Sequence, residues 1–455
     1  MGSEIVIVSN RGPVSFATTD QGGVEERRGG GGLVSGLGGL RDQGALWVAG
    51  AATDGDRVVA SGGTLEAAGF GVSLVAPDPG DQRAAYDIVS NETLWFLHHG
   101  IFDATRTPSF DDEWREAWNA YRRVNAVFAE RVAEVAPPNA TVLVQDYHLT
   151  LVASTLAEIR PDLATVHFHH TPFASAEELS VLPDDVASEL INGLVAHVAC
   201  GFHTSGWARR FESCAVACGL PARTFVSPLS VDVEEFRQRA AQPDVDAAVA
   251  DLTERIGGRR FLARVDRIEL SKNLLRGFAA YELFLERQPE RHGSTVFGAF
   301  CYPSRQGVPA YAAYHDEVRA AVDRVNTRFA TANWTPVLWE EDDQFPVALA
   351  AYRLADILMV NPVRDGLNLV AKEATLVNER QCDLVLSDRA GCVDEIGAWC
   401  DVVSPFDVSA TATALTRCLD RHQGERAERF AARTAVVEAR SPSDWLAEQV
   451  RAAER

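Results

Sequence analysis

Between Arg364 and Glu373 the chain reads Arg-Asp-Gly-Leu-Asn-Leu-Val-Ala-Lys-Glu, which gathers two carboxylates, a carboxamide and a turn. Asp365 and Glu373 can each accept from both hydroxyls of a diol. The apolar run 356–360 before them has the composition of a buried parallel strand, and Pro362 stops its ladder by removing an amide donor. Gly366 is expected to supply the permissive backbone of the turn, and from about Leu369 the residues have helical spacing and propensity. Strand, turn and helix in succession put free helix amides beyond the carboxyl end of a strand. Open α/β sheets hold anions and hydroxyls there.

Further polar residues fall at the ends of β-rich runs. Arg11 follows 5–9, Asp146 follows 142–145, and Arg305 follows 295–301. The run 165–169 leads into His170-Thr171-Pro172; alternation sends some of the histidines at 167–170 into packing, and His170, at the turn itself, is the one expected to work on a ligand. Arg267 and Lys272 share one loop after 260–265, with Ser271 expected to cap the next helix. Two cations at a helix start gain nothing from its dipole, so an anion held between them and the amides is the reading, against plain solvated charge. The glycines 29–32 let backbone approach a ligand closely, but their spacing matches neither a dinucleotide fingerprint nor a phosphate-binding P-loop.

These positions need a frame. Runs at 45–48, 73–76, 93–96, 141–145 and 164–169 read as strands, interleaved with helical stretches such as 114–135. That alternation predicts a doubly wound parallel sheet. Near 227–232 the chain crosses into a second α/β series, with a helix at 246–256 and strands at 260–265, 295–301, 336–339, 356–360, 383–387 and 402–403. Helices are expected at 427–437 and 444–451, with Trp445 as a docking anchor. The expected domains are 1–229, 230–436 and a helix over 437–455 docking back on the first, with a ligand cleft between the two main domains.

Composition limits the alternatives. The 455 residues exceed one ordinary core, and 46% apolar content suffices for two. A formal charge of −21 argues against a nucleic-acid or anionic-membrane surface, so an anionic substrate needs a local cationic pocket. Eight scattered cysteines suit a reduced compartment, and Cys214 with Cys218 lacks the further ligands of a metal site. The amino terminus enters a strand without the features of a secretory signal, and no apolar stretch is long enough to span a bilayer. A cytoplasmic protein is expected, with no nucleic acid, membrane, metal or cofactor; a homo-oligomer stays open.

Taken in order, Ser9-Asn10-Arg11, Gly31-Gly32-Leu33, Ser90-Asn91, Asp146-Tyr147-His148-Leu149, His170-Thr171-Pro172-Phe173, Arg267 with Lys272, Ser304-Arg305 and the 364–373 stretch resemble the trehalose-6-phosphate synthases. These are retaining glycosyltransferases of the GT-B fold, and the similarity, in the manner of the actinobacterial members, covers nearly the whole chain. The resemblance implies an α/β protein with two Rossmann-like domains that moves glucose from a nucleotide donor to glucose 6-phosphate. It implies that Arg267 and Lys272, with amides near Gly31, Gly32, Gly366, Leu369 and Val370, hold the donor diphosphate without a metal. Glu373 then accepts the ribose hydroxyls, and His170, Asp365 and Asn368 position the sugar. Arg11, Tyr86 and Arg305 take the acceptor phosphate, with Trp95 and Asp146 shaping that side. Retention follows from a front-face mechanism in which the leaving phosphate helps deprotonate the acceptor.

Departures bear on substrate. Gln145 stands where many relatives have His, Thr171 replaces an aliphatic residue, and Ile268-Glu269-Leu270 replaces a Leu-Asp-Tyr pattern. Asp343 and Phe345 lie in the stretch aligned with nucleobase reading. A carboxylate there suits the N1 and N2 protons of guanine and opposes the O4 acceptor of uracil, so GDP-glucose is the expected donor, with UDP- or ADP-glucose possible. Rival readings are a pseudo-glycosyltransferase joining a nucleotide cyclitol to an aminocyclitol phosphate, a glucosylglycerol-phosphate synthase, a sugar-nucleotide epimerase and a silent binding protein. No fused phosphatase is expected after the second domain, and dephosphorylation is expected to fall to another protein.

Overall fold

The computed structural model describes residues 5–18, 23–28 and 32–454. The chain divides into two compact units, Met1–Leu229 with Pro442–Arg455, and Ser230–Ser441.

In the first unit β1 (Ile5–Ser9) precedes a hairpin of β2 (Val14–Thr18) and β3 (Val24–Arg28). There follow β4 (Leu46–Gly50), β5 (Thr64–Ala67), β6 (Phe70–Val75), β7 (Thr141–Gln145), β8 (Ala164–His169), β9 (Ala199–Phe202) and β10 (Thr224–Val226). Eight of these form one sheet in the order β10-β9-β8-β7-β1-β4-β6-β5, parallel except where β5 runs against β6. The central strands are apolar on both faces: Val6, Ile7 and Val8 of β1 and Val142, Leu143 and Val144 of β7 are fully buried, as helices on both sides of a parallel sheet require. From β1 the chain winds outward through β4 and β6, then returns to lay β7, β8, β9 and β10 on the other side. The order therefore reverses between β1 and β7, and a crevice forms beyond the carboxyl ends of strands at such a point.

The second unit repeats the plan with β11 (Arg260–Ile268), β12 (Thr295–Pro303), β13 (Val337–Glu340), β14 (Ile357–Val360), β15 (Asp383–Ser387) and β16 (Asp401–Val403). Their order is β13-β12-β11-β14-β15-β16, all parallel. Here the reversal falls between β11 and β14. A core of Phe278, Tyr281, Phe284, Phe297 and Val318 fills one side of this sheet.

One expected strand is absent. Residues 93–96 lie in helix: a wide turn of π-helix spans Ala84–Leu94 and continues as the helix Trp95–His99. The local run Thr-Leu-Trp-Phe has β propensity, but tertiary contacts override it. Ser90 and Thr93 donate to the carbonyls of Ala85 (2.8 Å) and Ile88 (2.9 Å), five residues back. The Trp114 indole of the long helix Asp112–Val135 then donates to Thr93 Oγ1 (2.9 Å).

The helix Pro442–Ala452 packs within the first unit. Trp445 is fully buried and meets Phe168 of β8 edge to face, ring centres 5.1 Å apart. Gly36 makes room for it, because a Cβ there would stand 2.8 Å from Leu229 and 3.2 Å from the Trp445 ring.

Candidate functional site

At the reversal point of the second sheet, β11 and β14 deliver opposite charges to one place. Lys272, in a short 3-10 turn beyond β11, points its Nζ at Asp365 Oδ2 (2.6 Å) and stands 3.9 Å from Asp266 Oδ1. Burial disfavours the ammonium, yet the carboxylates of Asp365 and Asp266 outweigh it and hold the Lys272 pKa above the ordinary lysine value. The cation is therefore permanent at physiological pH. Arg264, fully buried in β11, braces this loop: it donates to Asn361 Oδ1 (2.6 Å) and the Lys272 carbonyl and pairs with Asp266 (3.1 Å).

The turn after β14 is held from outside. Asp365 N–H donates to the Arg389 carbonyl (3.0 Å), Gly391 N–H to Asp365 O (3.1 Å), and Cys392 N–H to Leu367 O (2.7 Å). Gly391 lies so close that a Cβ on it would sit 2.0 Å from the Gly366 carbonyl oxygen. The left-handed backbone of the turn falls at Asn368 (φ 74°) rather than at Gly366, as the short polar side chain of asparagine tolerates. Asn368 caps the helix Leu369–Val377 by accepting from Ala371 N–H (3.3 Å) and donates to Asp365 Oδ2 (3.2 Å). The amides of Leu369 and Val370 thus open this helix beside Asp365. One turn on, burial pushes the Glu373 carboxyl up to about 7, against a hydrogen bond from the Tyr352 hydroxyl at 3.4 Å.

Arg267 and Arg305 share a counter-ion that the sequence reading passed over. Glu269 is fully buried, and its Oε1 lies 3.0 Å from Arg267, 3.3 Å from Arg305 and 3.2 Å from Ser304 Oγ. The register of β11 on β12 sets Arg267 opposite Tyr302 and Ile268 opposite Pro303, so the next residues of each strand meet at Glu269. A carboxylate between Arg267 and Lys272 in sequence was the available signal. Ser271 does not cap the following helix; its hydroxyl turns to Glu269 Oε2 (3.4 Å), and Asn273 stands at the helix start in left-handed conformation (φ 61°). Asp343 is exposed beyond β13, and Phe345, half-exposed, lies under the Arg239 guanidinium and meets Phe236 edge to face.

The first unit collects the other predicted residues at its own reversal point. Arg11 Nη2 lies 3.4 Å from the Tyr86 hydroxyl, beside a recess lined by Asn10, Tyr86, Ser90 and His148. Asp146, at φ 69°, accepts from His170 N–H at 3.2 Å. His170 Nε2 meets Gln145 Oε1 at 3.0 Å, and burial pushes the imidazole down to about 3, so it is neutral. Trp95 is buried and stacks on His99 at 3.9 Å. Gly32 opens the short helix Gly32–Gly36, while Gly31 lies outside the described residues. His167 and His169 are fully buried in β8, which leaves His170 as the member of the run at the strand end.

A profile of Glycosyltransferase family 20 matches residues 3–455. The chain belongs to that family. Among relatives of this glycosyltransferase, a bifunctional trehalose-6-phosphate synthase/phosphatase of Thermoproteus tenax is 31% identical over 97% of the chain, which spans 62% of that protein's length. A trehalose-6-phosphate synthase of Klebsiella pneumoniae is 30% identical, with 98% of this chain and 94% of the relative aligned. The E. coli trehalose-6-phosphate structure bound with UDP-2-fluoro glucose superposes with a TM-score of 0.87 at 26% identity, covering 100% of this chain and 99% of that one. The fold of this family 20 member is accordingly GT-B, an α/β architecture of two Rossmann-like units.

Among the described residues of the family 20 chain, one group of potential metal ligands comes together, Asp383, Asp401 and Cys418. Its carboxylates already hold guanidiniums: Arg421 reaches both, Arg426 reaches Asp383 (3.3 Å), and Arg417 (2.6 Å) and Arg429 (3.2 Å) reach Asp401. They fasten the C-terminal helices of the second unit to its sheet edge. No helix of the described residues is long and apolar enough to cross a membrane.

Proposed function

We propose that the chain transfers glucose from a nucleoside diphosphate donor to glucose 6-phosphate with retention, giving trehalose 6-phosphate. The observation that carries this is the Lys272–Asp365–Asn368 arrangement at the β11/β14 reversal in a chain whose family 20 relatives are named as synthases of that product. Removing one glucose from trehalose 6-phosphate leaves glucose 6-phosphate, which fixes the acceptor chemically. Lys272, Arg267 and the Leu369 and Val370 amides stabilise negative charge as the diphosphate departs. Asp365 and Asn368 orient the sugar, with His170 on its hydroxyls, and Glu373 accepts the ribose hydroxyls. Arg11, Tyr86 and Arg305 bind the acceptor phosphate, with Trp95 and Asp146 shaping that side, and the amide near Gly32 joins those that hold the donor diphosphate. The leaving phosphate takes the acceptor proton on the same face, so the reaction needs neither a carboxylate pair nor a metal. A cytoplasmic setting suits the eight unbridged cysteines.

For the nucleobase we infer guanine, read by Asp343 with Phe345 alongside. Burial is the largest influence raising the pKa of Tyr302; Arg267 and Lys272 lower it and Asp343 raises it, so that carboxylate lies within electrostatic reach of Tyr302 near the end of β12. The E. coli relative was captured with a UDP sugar, and the exchange of partner chemistry at Asp343 is what would separate the two. A panel of ADP-, GDP- and UDP-glucose, with and without glucose 6-phosphate, tests both statements by nucleoside diphosphate release. Acceptor-dependent release supports the transferase; donor consumption without acceptor points to an epimerase and overturns it. Comparable turnover of GDP- and UDP-glucose overturns the guanine assignment alone.

A further inference from the structure

The helix Pro442–Ala452 does more than cover β8. Gln449 is fully buried on its inner face, and its Oε1 lies 3.0 Å from Gln145 Nε2. Gln145, the last residue of β7, is 1% exposed and turns its own Oε1 to His170 Nε2 at 3.0 Å. Trp445, one turn earlier on the helix, stands 5.7 Å from the His170 ring, and Phe168 and His203 flank that ring at 4.9 and 5.3 Å. The imidazole is thus fixed in orientation and tied by two carboxamides to a helix some 300 residues distant in sequence.

The polarity of this relay sets the chemistry of His170. An amide oxygen only accepts, so with Gln145 Oε1 facing Nε2 the ring hydrogen must sit on Nε2, and a neutral imidazole then carries its lone pair on Nδ1. Burial keeps the ring neutral. We propose that Gln145 and Gln449 are positioning residues that hold His170 in the Nε2–H tautomer, so that Nδ1 accepts a hydrogen bond from a hydroxyl of the transferred glucose. The proposal rests on the reading of His170 as a donor-sugar contact. Gln449 Nε2 is the buried end of the relay and has no hydrogen-bond partner among the described residues; with both carboxamides reversed, Gln449 Oε1 would be the orphan and the ring hydrogen would move to Nδ1.

The two arrangements differ in a measurable way. Histidine-15N-labelled full chain, with His170 signals assigned by their loss in His170→Asn, is expected to show the Nε2–H pattern between pH 6 and 8. Gln145→Leu and Gln449→Met should each mix the tautomers. Each should lower kcat/KM for the nucleotide sugar about tenfold, the scale of one lost hydrogen bond, with KM for glucose 6-phosphate unchanged. Should Gln145→Leu fail to fold, Gln449→Met carries the test alone. An Nδ1–H pattern in the wild type, or an unchanged pattern in the variants, overturns the proposal. Lack of glucose transfer by the wild type would instead overturn the functional reading, since the tautomer is measured without turnover.

Discussion

Lys272 answers two demands with one ammonium. It neutralises Asp365 and Asp266 in a buried loop, and under the proposed reaction it is also a fixed positive charge for the departing diphosphate. Lys272→Met keeps the volume and removes the charge; kcat/KM should fall at least about 100-fold, the range for a lost charge-stabilising donor. Steady-state kinetics with saturating acceptor checks it. Glu373 makes a second prediction. With its carboxyl raised to about 7 by burial, the unliganded protein holds it largely protonated below that pH, and a protonated carboxyl cannot accept from both ribose hydroxyls. KM for the donor is expected to fall as pH rises from 6 to 8, and Glu373→Gln should flatten that profile. That Arg267, Lys272 and Asp365 fall at or just beyond the ends of strands was legible in the sequence because each follows an apolar run, while Glu373 stands one turn into the next helix. Glu269 was not singled out, since an acid among bases reads as ordinary surface charge until burial and the β11/β12 register show two arginines sharing it. Gln449 carried no signal at all: a polar residue on a polar helix acquires meaning only from Gln145, which the chain brings to it over a long separation.

The strapped turn after β14 is an element-scale device. Its shape is dictated by the 387–392 loop as much as by its own residues, through three backbone hydrogen bonds and the contact of Gly391 with Gly366. Gly391→Ala is therefore expected to raise donor KM severalfold and to destabilise the chain by about 1–3 kcal/mol, the cost of overpacking a filled site; donor titration and thermal melting read the two effects. The sequence marked the turn but assigned its unusual backbone to Gly366, because glycine is the commoner carrier of positive φ, whereas Asn368 takes it and caps the helix in the same act. Strands with apolar runs, β1, β7 and β14 among them, were readable from composition. The 93–96 segment was not, as its helical state depends on Trp114 and on side-chain bonds reaching five residues back. Ser271 misled for a related reason: its hydroxyl has a better partner in Glu269 than in a helix amide.

At the scale of the molecule, the two sheets share a plan and differ in what they bury. The first unit packs His167, His169 and His197 inside, where burial depresses each imidazole pKa below its ordinary value. Such groups stay neutral in the folded chain and charge in the unfolded one, so their stabilising effect is complete above about pH 6.5 and is lost as the pH falls below it. Urea unfolding at pH 8 and pH 5 should show acid destabilisation of about 1.4 kcal/mol per pH unit for each histidine involved, and His167→Gln should shallow the slope. The division of the chain has a further consequence, for the order of assembly during synthesis. The first unit is built from two separated stretches, and the groove formed by Gly36, Phe168 and Leu229 waits for Trp445. At translation rates of about 5–20 residues per second, the roughly 210 intervening residues hold that groove open for about 10–40 seconds. The second unit, contiguous in sequence, can fold meanwhile. The nascent first unit thus displays a hydrophobic slot to the ribosome's surroundings until the helix that bears Gln449 emerges to fill it.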